Sequence, residues 1–303
     1  MRKIILIALY ISSISSYNQP TTLNLGYTNI QLGGPIKPTS GWSMTQYLSF
    51  YHSNKFLDYQ GKTLNKTASP HFNSFWGVTD FNYKTEDKII FNAQAGIDII
   101  PLYAFYSKIE KNSLDITNSG GGISDPYIGV FLQWEPFYKK NRPIFVHRFE
   151  LFTAFPMGKY KRGYSINPGN GCYFINPSWA STLYLTRKFA ISSAWSYLWS
   201  SEKKYTGIQP GQAILLNYSI EYECLENFWI AICGYALKQF TSDKKYGVTL
   251  AHSLEQVLSV GPGFLYTFRD KFNLYGYFYC DQLVRNRAQT ISLFLRLSAQ
   301  FYE

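Results

Sequence analysis

After residue 16 the chain has no apolar run of the ~20 residues that a membrane-crossing helix needs, which excludes a helical membrane protein. Charge is scarce too. Asp, Glu, Lys and Arg make up 16% of the 303 residues, while aromatic residues reach 18%. A disordered chain has the opposite balance, many charges and few rings. Cysteine is limited to Cys172, Cys224, Cys233 and Cys280. None lies in a C-x-x-C pair, so no zinc site is indicated, and four cysteines in a chain this long do not make a disulfide scaffold. Ala, Glu, Lys and Arg, which build helices well, do not lead the composition; Tyr, Phe, Ser, Ile and Leu do. Tyr, Phe and Ile favour pleated, half-buried surfaces, which points to an all-β protein.

The N-terminus reads Met1-Arg2-Lys3, then an almost wholly apolar stretch from Ile4 to Ile11, then small residues from Ser12 to Ser16. A positive start, a short apolar stretch and a small-residue zone make a signal peptide, with cleavage expected after Ser15 or Ser16. The exported remainder is then either soluble or a membrane β-barrel, whose strands alternate and carry no long apolar run.

The alternation is long. Ile291, Leu293, Leu295, Leu297, Ala299 and Phe301 share one face, and Ser292, Phe294, Arg296, Ser298 and Gln300 the other. Ile214, Leu216, Tyr218, Ile220 and Tyr222 likewise oppose Ala213, Asn217, Ser219, Glu221 and Glu223. Ile89, Phe91, Ala93, Ala95, Ile97 and Ile99 oppose Asn92, Gln94, Gly96 and Asp98. Period two is the mark of a strand, and such lengths suit a tilted membrane strand of ~9–11 residues better than a soluble one of ~5–6. Twelve segments of this kind are expected: 42–51, 73–84, 88–100, 124–135, 144–155, 174–186, 189–200, 212–223, 228–240, 255–268, 272–283 and 290–301. The connections alternate. Those at 85–87, 136–143, 187–188, 224–227 and 269–271 are short; those at 52–72, 101–123, 156–173, 201–211, 241–254 and 284–289 are mostly long. Short periplasmic turns and longer external loops are the habit of outer-membrane barrels. The expected fold is therefore a closed antiparallel transmembrane β-barrel of about twelve strands, with a signal peptide at 1–16, a periplasmic N-terminal segment at 17–41 and the barrel at 42–303. Trp195, Tyr197 and Trp199, with Trp134 and Phe301, are placed as interfacial aromatic residues.

Net charge is +10, from 29 Lys and Arg against 19 Asp and Glu. No loop forms a dense basic tract, and export argues against nucleic acid. The loop cations, among them Lys55, Lys62, Lys159, Lys161, Arg162, Lys203, Lys204, Lys244, Lys245, Arg285 and Arg287, are assigned to outer-leaflet lipids and lipopolysaccharide phosphates. The expected inward face is different: Asp80, Asp98, Glu150, Glu221, Glu223 and Asp281 outnumber Arg148 and Arg296. With Gln239 these are the candidate lumen-lining or constriction residues, so the overall charge does not imply an anionic solute.

Three stretches carry a resemblance. They are Gly122-Ile-Ser-Asp-Pro-Tyr-Ile-Gly-Val-Phe-Leu-Gln-Trp134; then Phe155-Pro-Met-Gly158 with Asn167-Pro-Gly-Asn-Gly171 and Asn176-Pro177; then Gly234-Tyr235, Gln239, Asp243 and Gly261-Pro262-Gly263. With Asp58-Tyr-Gln-Gly61, their order and spacing over residues 40–300 resemble the MetA-pathway of phenol degradation family of outer-membrane transporters. Ser124 and the tail Tyr302-Glu303 depart from the family pattern. The resemblance implies a barrel that passes small molecules, with hydrophobic or aromatic compounds as the class, and supplies no catalytic residue.

Catalysis finds no footing in the residues. Outer-membrane phospholipases carry His-x-Ser on one strand, where the imidazole can activate the hydroxyl. None of His52, His71, His147 and His252 has Ser two residues later. No cofactor or metal is expected. The expected function is a narrow passive channel or transporter, because twelve strands lie between the roughly eight that side chains fill and the 16–18 that leave an aqueous pore. Its expected partners are a small-molecule solute, the surrounding lipids and the barrel assembly machinery. A structural or surface-interaction barrel is the alternative, and a lipid hydrolase the remote third reading. The segment 17–41 is read either as a plug folded back into the barrel mouth or as a first, irregular strand that extends the sheet: Leu23, Leu25, Tyr27, Ile30, Leu32 and Ile36 make it too apolar for a solvated tail, while its prolines and Gly33-Gly34 discourage regular structure.

Overall fold

The computed structural model describes residues 25–35, 39–64, 70–110, 117–164, 166–268 and 271–301. The expected signal peptide, residues 17–24, residues 36–38 and the last two residues lie outside them. Twelve antiparallel strands follow one another around a closed wall. They are β1 (Gly41–Leu57), β2 (His71–Ile90), β3 (Ala93–Ile100, continued as Leu102–Glu110), β4 (Tyr127–Gln133), β5 (Arg142–Ala154) and β6 (Phe174–Tyr184). The second half holds β7 (Phe189–Ser200), β8 (Ala213–Leu225), β9 (Phe228–Gln239), β10 (Gln256–Phe268), β11 (Phe272–Arg285) and β12 (Arg287–Phe301). Each strand pairs with the next, and β1 pairs with both β2 and β12, which closes the barrel. Pro101 splits β3 because proline has no N–H to give; its carbonyl still accepts from the Thr79 N–H at 3.1 Å, so β2 runs past the break in one register.

Period two explains the wall. Along β12, Ile291, Leu293, Leu295 and Leu297 are exposed on the outside, whereas Ser292 and Phe294 are buried inside. The same inversion holds along β7, where Trp195 points outward and Ser192, Ala194, Ser196 and Leu198 are buried. A continuous band of outward Leu, Ile, Val and aromatic side chains is stable only against lipid. Rings gather at strand ends. Trp134 stacks on His147 at 4.5 Å, with Phe137 and Phe145 beside them, where β4 turns into β5. Amphipathic rings of this kind settle at a membrane interface.

The end carrying the start of β1 and the end of β12 has short turns and is called the inner end here; the long loops lie at the outer end. Four connections differ from expectation. Leu102–Glu110, expected in a loop, pairs with β2, and Phe137–Lys139, expected in a turn, pairs with the start of β5, which leaves Lys140 and Asn141 to make the turn (φ 51° and 55°). The polar residues 85–87 are strand, and β2 runs on to Ile90 before turning at Phe91 and Asn92, both in the left-handed region (φ 51° and 58°). The connection expected at 284–289 is Asn286 alone (φ 53°), because β11 and β12 extend to meet it. A small sheet of Ile208–Gln209, Lys244–Lys245 and Val248–Thr249 ties the β7–β8 and β9–β10 loops together.

Candidate functional site: the barrel lumen

Inward positions of neighbouring strands converge on a charged belt. Arg148 on β5 donates through Nη2 to Asp98 Oδ2 on β3 at 2.8 Å and pairs with Glu150 two residues along its own strand. The Phe131 ring lies under its guanidinium, 3.5 Å from the ring centre. Asn82 donates to the other Asp98 oxygen, so this almost fully buried carboxylate has both oxygens met. Arg296 on β12 lies over the rings of Tyr275 (4.3 Å) and Tyr47 (5.5 Å). Asp80 on β2 faces the same space. Five of the nine expected lumen residues, Asp80, Asp98, Arg148, Glu150 and Arg296, thus line one cavity.

Glu221 belongs to the opposite wall. Residues 25–35 lie inside the barrel against it, and their backbone is held by inward side chains rather than by a strand. Gly26 N–H donates to Asn217 Oδ1 (3.1 Å), Gln31 N–H to Glu221 Oε1 (3.0 Å) and Gly33 N–H to Thr182 Oγ1 (2.9 Å). Ser192 and Ser219 also donate to Glu221, each at 2.6 Å. The Tyr279 hydroxyl donates to the Gly26 carbonyl at 3.0 Å. Tyr27 reaches across, edge-on to Phe294 (4.8 Å) and Tyr47 (5.7 Å). Gly33 approaches so closely that a Cβ there would stand 2.2 Å from the Val146 carbonyl oxygen. The segment packs on β6, β8, β9 and β11, and beside it a cavity of about 650 Å³ follows β1 to β5, β11 and β12 from Gln300 near the inner end to Asn170 and Lys203 at the outer end.

The remaining expected residues brace the barrel. Asp281 accepts from Tyr235 Oη (2.7 Å) and from Thr290 N–H (2.9 Å) and Oγ1 (2.6 Å). Gln239 donates to Asp243 at 2.7 Å and accepts from the Glu255 N–H. Glu223 sits beside the irregular pairing at the end of β8, where its carboxylate takes the Asn227 N–H at 3.3 Å in the turn; Asn227 lines the cavity and Glu223 does not.

Loop acids form the outer end. Asp125 is fully buried and accepts from Gly158 N–H (2.8 Å) and Asn170 N–H (2.6 Å); Ser124 Oγ donates to the Pro168 carbonyl at 2.6 Å. Asp243 accepts from Gly211 N–H at 2.8 Å. Asp58 accepts from the N–H groups of Gln60 and Lys62. Two loop cations are corrected. Lys203 is buried (4% exposed) and lines the cavity, and Arg287 is buried in an ion pair with Glu255 (2.7 Å), so neither faces lipid phosphate. Lys203 lies inside because its loop folds over the mouth, and Arg287 because it is an inward position at the start of β12, in register with Leu57 of β1. Burial holds the Lys203 ammonium below its usual range and pushes the Cys172 thiol up to about 11, which keeps that thiol protonated and inert at neutral pH. All four cysteines are free.

Burial also pushes the Glu255 carboxyl up to about 7, against the pull of Arg287. A carboxyl raised by folding contributes stability that is present below its ordinary range and lost as pH rises through about 7. The melting temperature of the native protein, taken as wild type minus Glu255→Gln, should therefore fall as pH rises from about 5 to about 8. A difference flat across that range would remove Glu255 as a titrating brace.

The sequence matches the family described as "Putative MetA-pathway of phenol degradation" over residues 53–297, most of the chain. The chain belongs to that family. No curated protein matches it. Among solved structures, an outer membrane channel from Pseudomonas putida F1 superposes with a TM-score of 0.76 at 13% identity, covering 92% of this chain and all of the other. The transport unit of the autotransporter AIDA-I from Escherichia coli gives a TM-score of 0.51 at 9% identity, covering 96% and 97%. At such identities the likeness is one of fold, that of an outer-membrane β-barrel. The family-like stretches turn out to meet in space. Gly122–Asp125, Phe155–Gly158 and Asn167–Gly171 join through Asp125, and Gln239 and Asp243 join the β7–β8 loop to the β9–β10 loop. The stretches that meet through Asp125 and Asp243 build the outer mouth, whereas Gly234-Tyr235 and Gly261-Pro262-Gly263 pair with each other's strands within β9 and β10. Asp125 and Lys203 were not singled out as site residues from the sequence, because their partners stand 33 or more residues away or in other loops.

Proposed function

We propose that this family member is a passive outer-membrane channel for small hydrophobic or aromatic compounds, narrowed at rest by its N-terminal segment. One observation carries the reading: a 650 Å³ cavity runs from the inner to the outer end of a closed barrel, walled by Tyr and Phe rings with a few charges between them. Tyr47, Tyr127, Phe152 and Tyr275 give a solute apolar contact along the way, and the Arg148 belt excludes a wide aqueous stream. The Pseudomonas relative of the same fold is itself described as an outer membrane channel. No catalytic step is assigned to any residue. Outward apolar side chains take lipid, the exposed loop lysines take lipopolysaccharide phosphates, and the assembly machinery inserts the barrel.

Single-channel recording tests this. The wild type should show small, infrequent openings, and replacing Arg148 and Glu150 together with Ala should change the open conductance, because the pair narrows the path. A protein that is folded, heat-modifiable on a gel, and neither conducts ions nor passes solute in liposome flux would favour a barrel that works through its surface loops. A conducting protein whose conductance ignores the double substitution would leave the pair a brace.

A further inference from the structure

Among the described residues, most charged side chains of the lumen meet a partner, and two, Arg296 and Asp80, do not. Asp98, Arg148, Glu150, Glu221 and Asp281 each meet a partner of opposite charge or several hydrogen bonds. Arg296 has neither among the described residues: its guanidinium is stacked on Tyr275 and Tyr47, and its buried Nε has no acceptor. Asp80 is its counterpart, with a buried Oδ1 that has no donor. The two do not satisfy each other because β1 runs between their strands. Tyr47 of β1 stands opposite Arg296 on β12, and Thr45 stands opposite Asp80 on β2. All four residues line the same cavity. A donor and an acceptor left unmet in a buried place carry a desolvation cost that a ligand can relieve.

We infer that Arg296 and Asp80, flanking the Tyr47 ring, form a binding subsite for an apolar, ring-bearing molecule that carries a hydroxyl. The inference rests on the channel reading and names the solute it takes. A hydroxyl is the smallest group that both donates and accepts: its proton goes to Asp80 and its oxygen takes an Arg296 N–H. The apolar body lies against Tyr47 and Tyr275, which also hold the guanidinium flat. A carboxylate fits less well at this pair: it can take the Arg296 N–H but has no proton for Asp80 and sets a second negative charge beside it, even though Lys84, Arg148, Lys203 and Arg287 also line the cavity. A molecule without a polar group leaves both protein groups unmet.

The test compares para-cresol, para-xylene and para-toluate, which share a ring and differ in one group. Binding is measured by saturation-transfer NMR on the full mature protein in lipid nanodiscs, with empty nanodiscs as the blank. The wild type should bind para-cresol about tenfold or more tighter than para-xylene, the worth of a hydrogen bond to a charged group, and tighter than para-toluate. Arg296→Met and Asp80→Leu should each erase most of that preference while leaving para-xylene binding nearly unchanged. Equal binding of cresol and xylene by the wild type, as when water alone meets the two groups, overturns the inference, and so does toluate binding best. A preference that survives both substitutions places the site elsewhere and also overturns it. The wild-type ranking decides without any variant, should one fail to assemble. Liposome flux keeps the two proposals apart: flux without preference removes the subsite and leaves the channel, whereas preference without flux leaves the subsite and removes the channel.

Discussion

Deleting residues 17–38 behind an intact signal peptide should raise solute flux through the barrel several-fold without preventing assembly. The described part of that segment, residues 25–35, contributes nothing to the strand ladder; it is held by side chains of Thr182, Asn217 and Glu221 and by contacts of Tyr27 with Tyr47 and Phe294. Its removal therefore leaves every strand pair in place and opens the half of the lumen next to the cavity. The polar groups it covers, Glu221 and Tyr279 among them, then meet water, so the deletion does not strand them. Liposome swelling with small neutral solutes measures the change. Wild-type flux from an assembled deletion barrel would end the gating idea, and failure to assemble would make the segment part of the scaffold.

Asp125→Ala should loosen the outer mouth and little else. The substitution leaves the buried N–H of Asn170 without its acceptor, at ~1–3 kcal/mol, and the half-buried N–H of Gly158 too, at less because water can reach it. The fit around them is tight: a Cβ on Gly158 would stand 2.5 Å from the Ser124 carbonyl carbon. Hydrogen exchange should show the amides of Gly158 and Asn170 losing protection while those of β7 to β9 keep theirs. Asp125→Asn, which retains one acceptor oxygen, should have a smaller effect. Unchanged protection in the alanine variant would mean that the loop is held by its other contacts.

The wall was legible in the sequence because a barrel side chain answers to one question, lipid or lumen, and period two answers it locally. β12 and β8 show this residue by residue, and the count of twelve follows. The turns were less legible. Thr85-Glu86-Asp87 is polar enough to read as a turn, yet the chain turns at Phe91-Asn92, where a bulky ring accepts a left-handed backbone because the tight two-residue hairpin requires it. Leu283, also left-handed, shifts the alternation at the end of β11 so that Val284 points inward, which hid the short connection at Asn286. In the lumen, single-strand alternation found Asp98, Arg148, Glu150 and Arg296 but not which of them would be paired. That depends on the distance across the barrel, a quantity no single strand contains. Asp125 and Lys203 were hidden for the same reason.

The segment that fills the lumen also sets an order of events. Gly26 bonds to a residue 191 positions away and Asn29 to one 250 positions away, on strands β8 and β11. Their partners do not share one surface until nearly the whole chain has paired. Contacts so distant in sequence form late, after the loop-closure entropy has been met by the local hairpins. This early stretch of the chain is thus the last to find its place. Until then the newly closed barrel stands open.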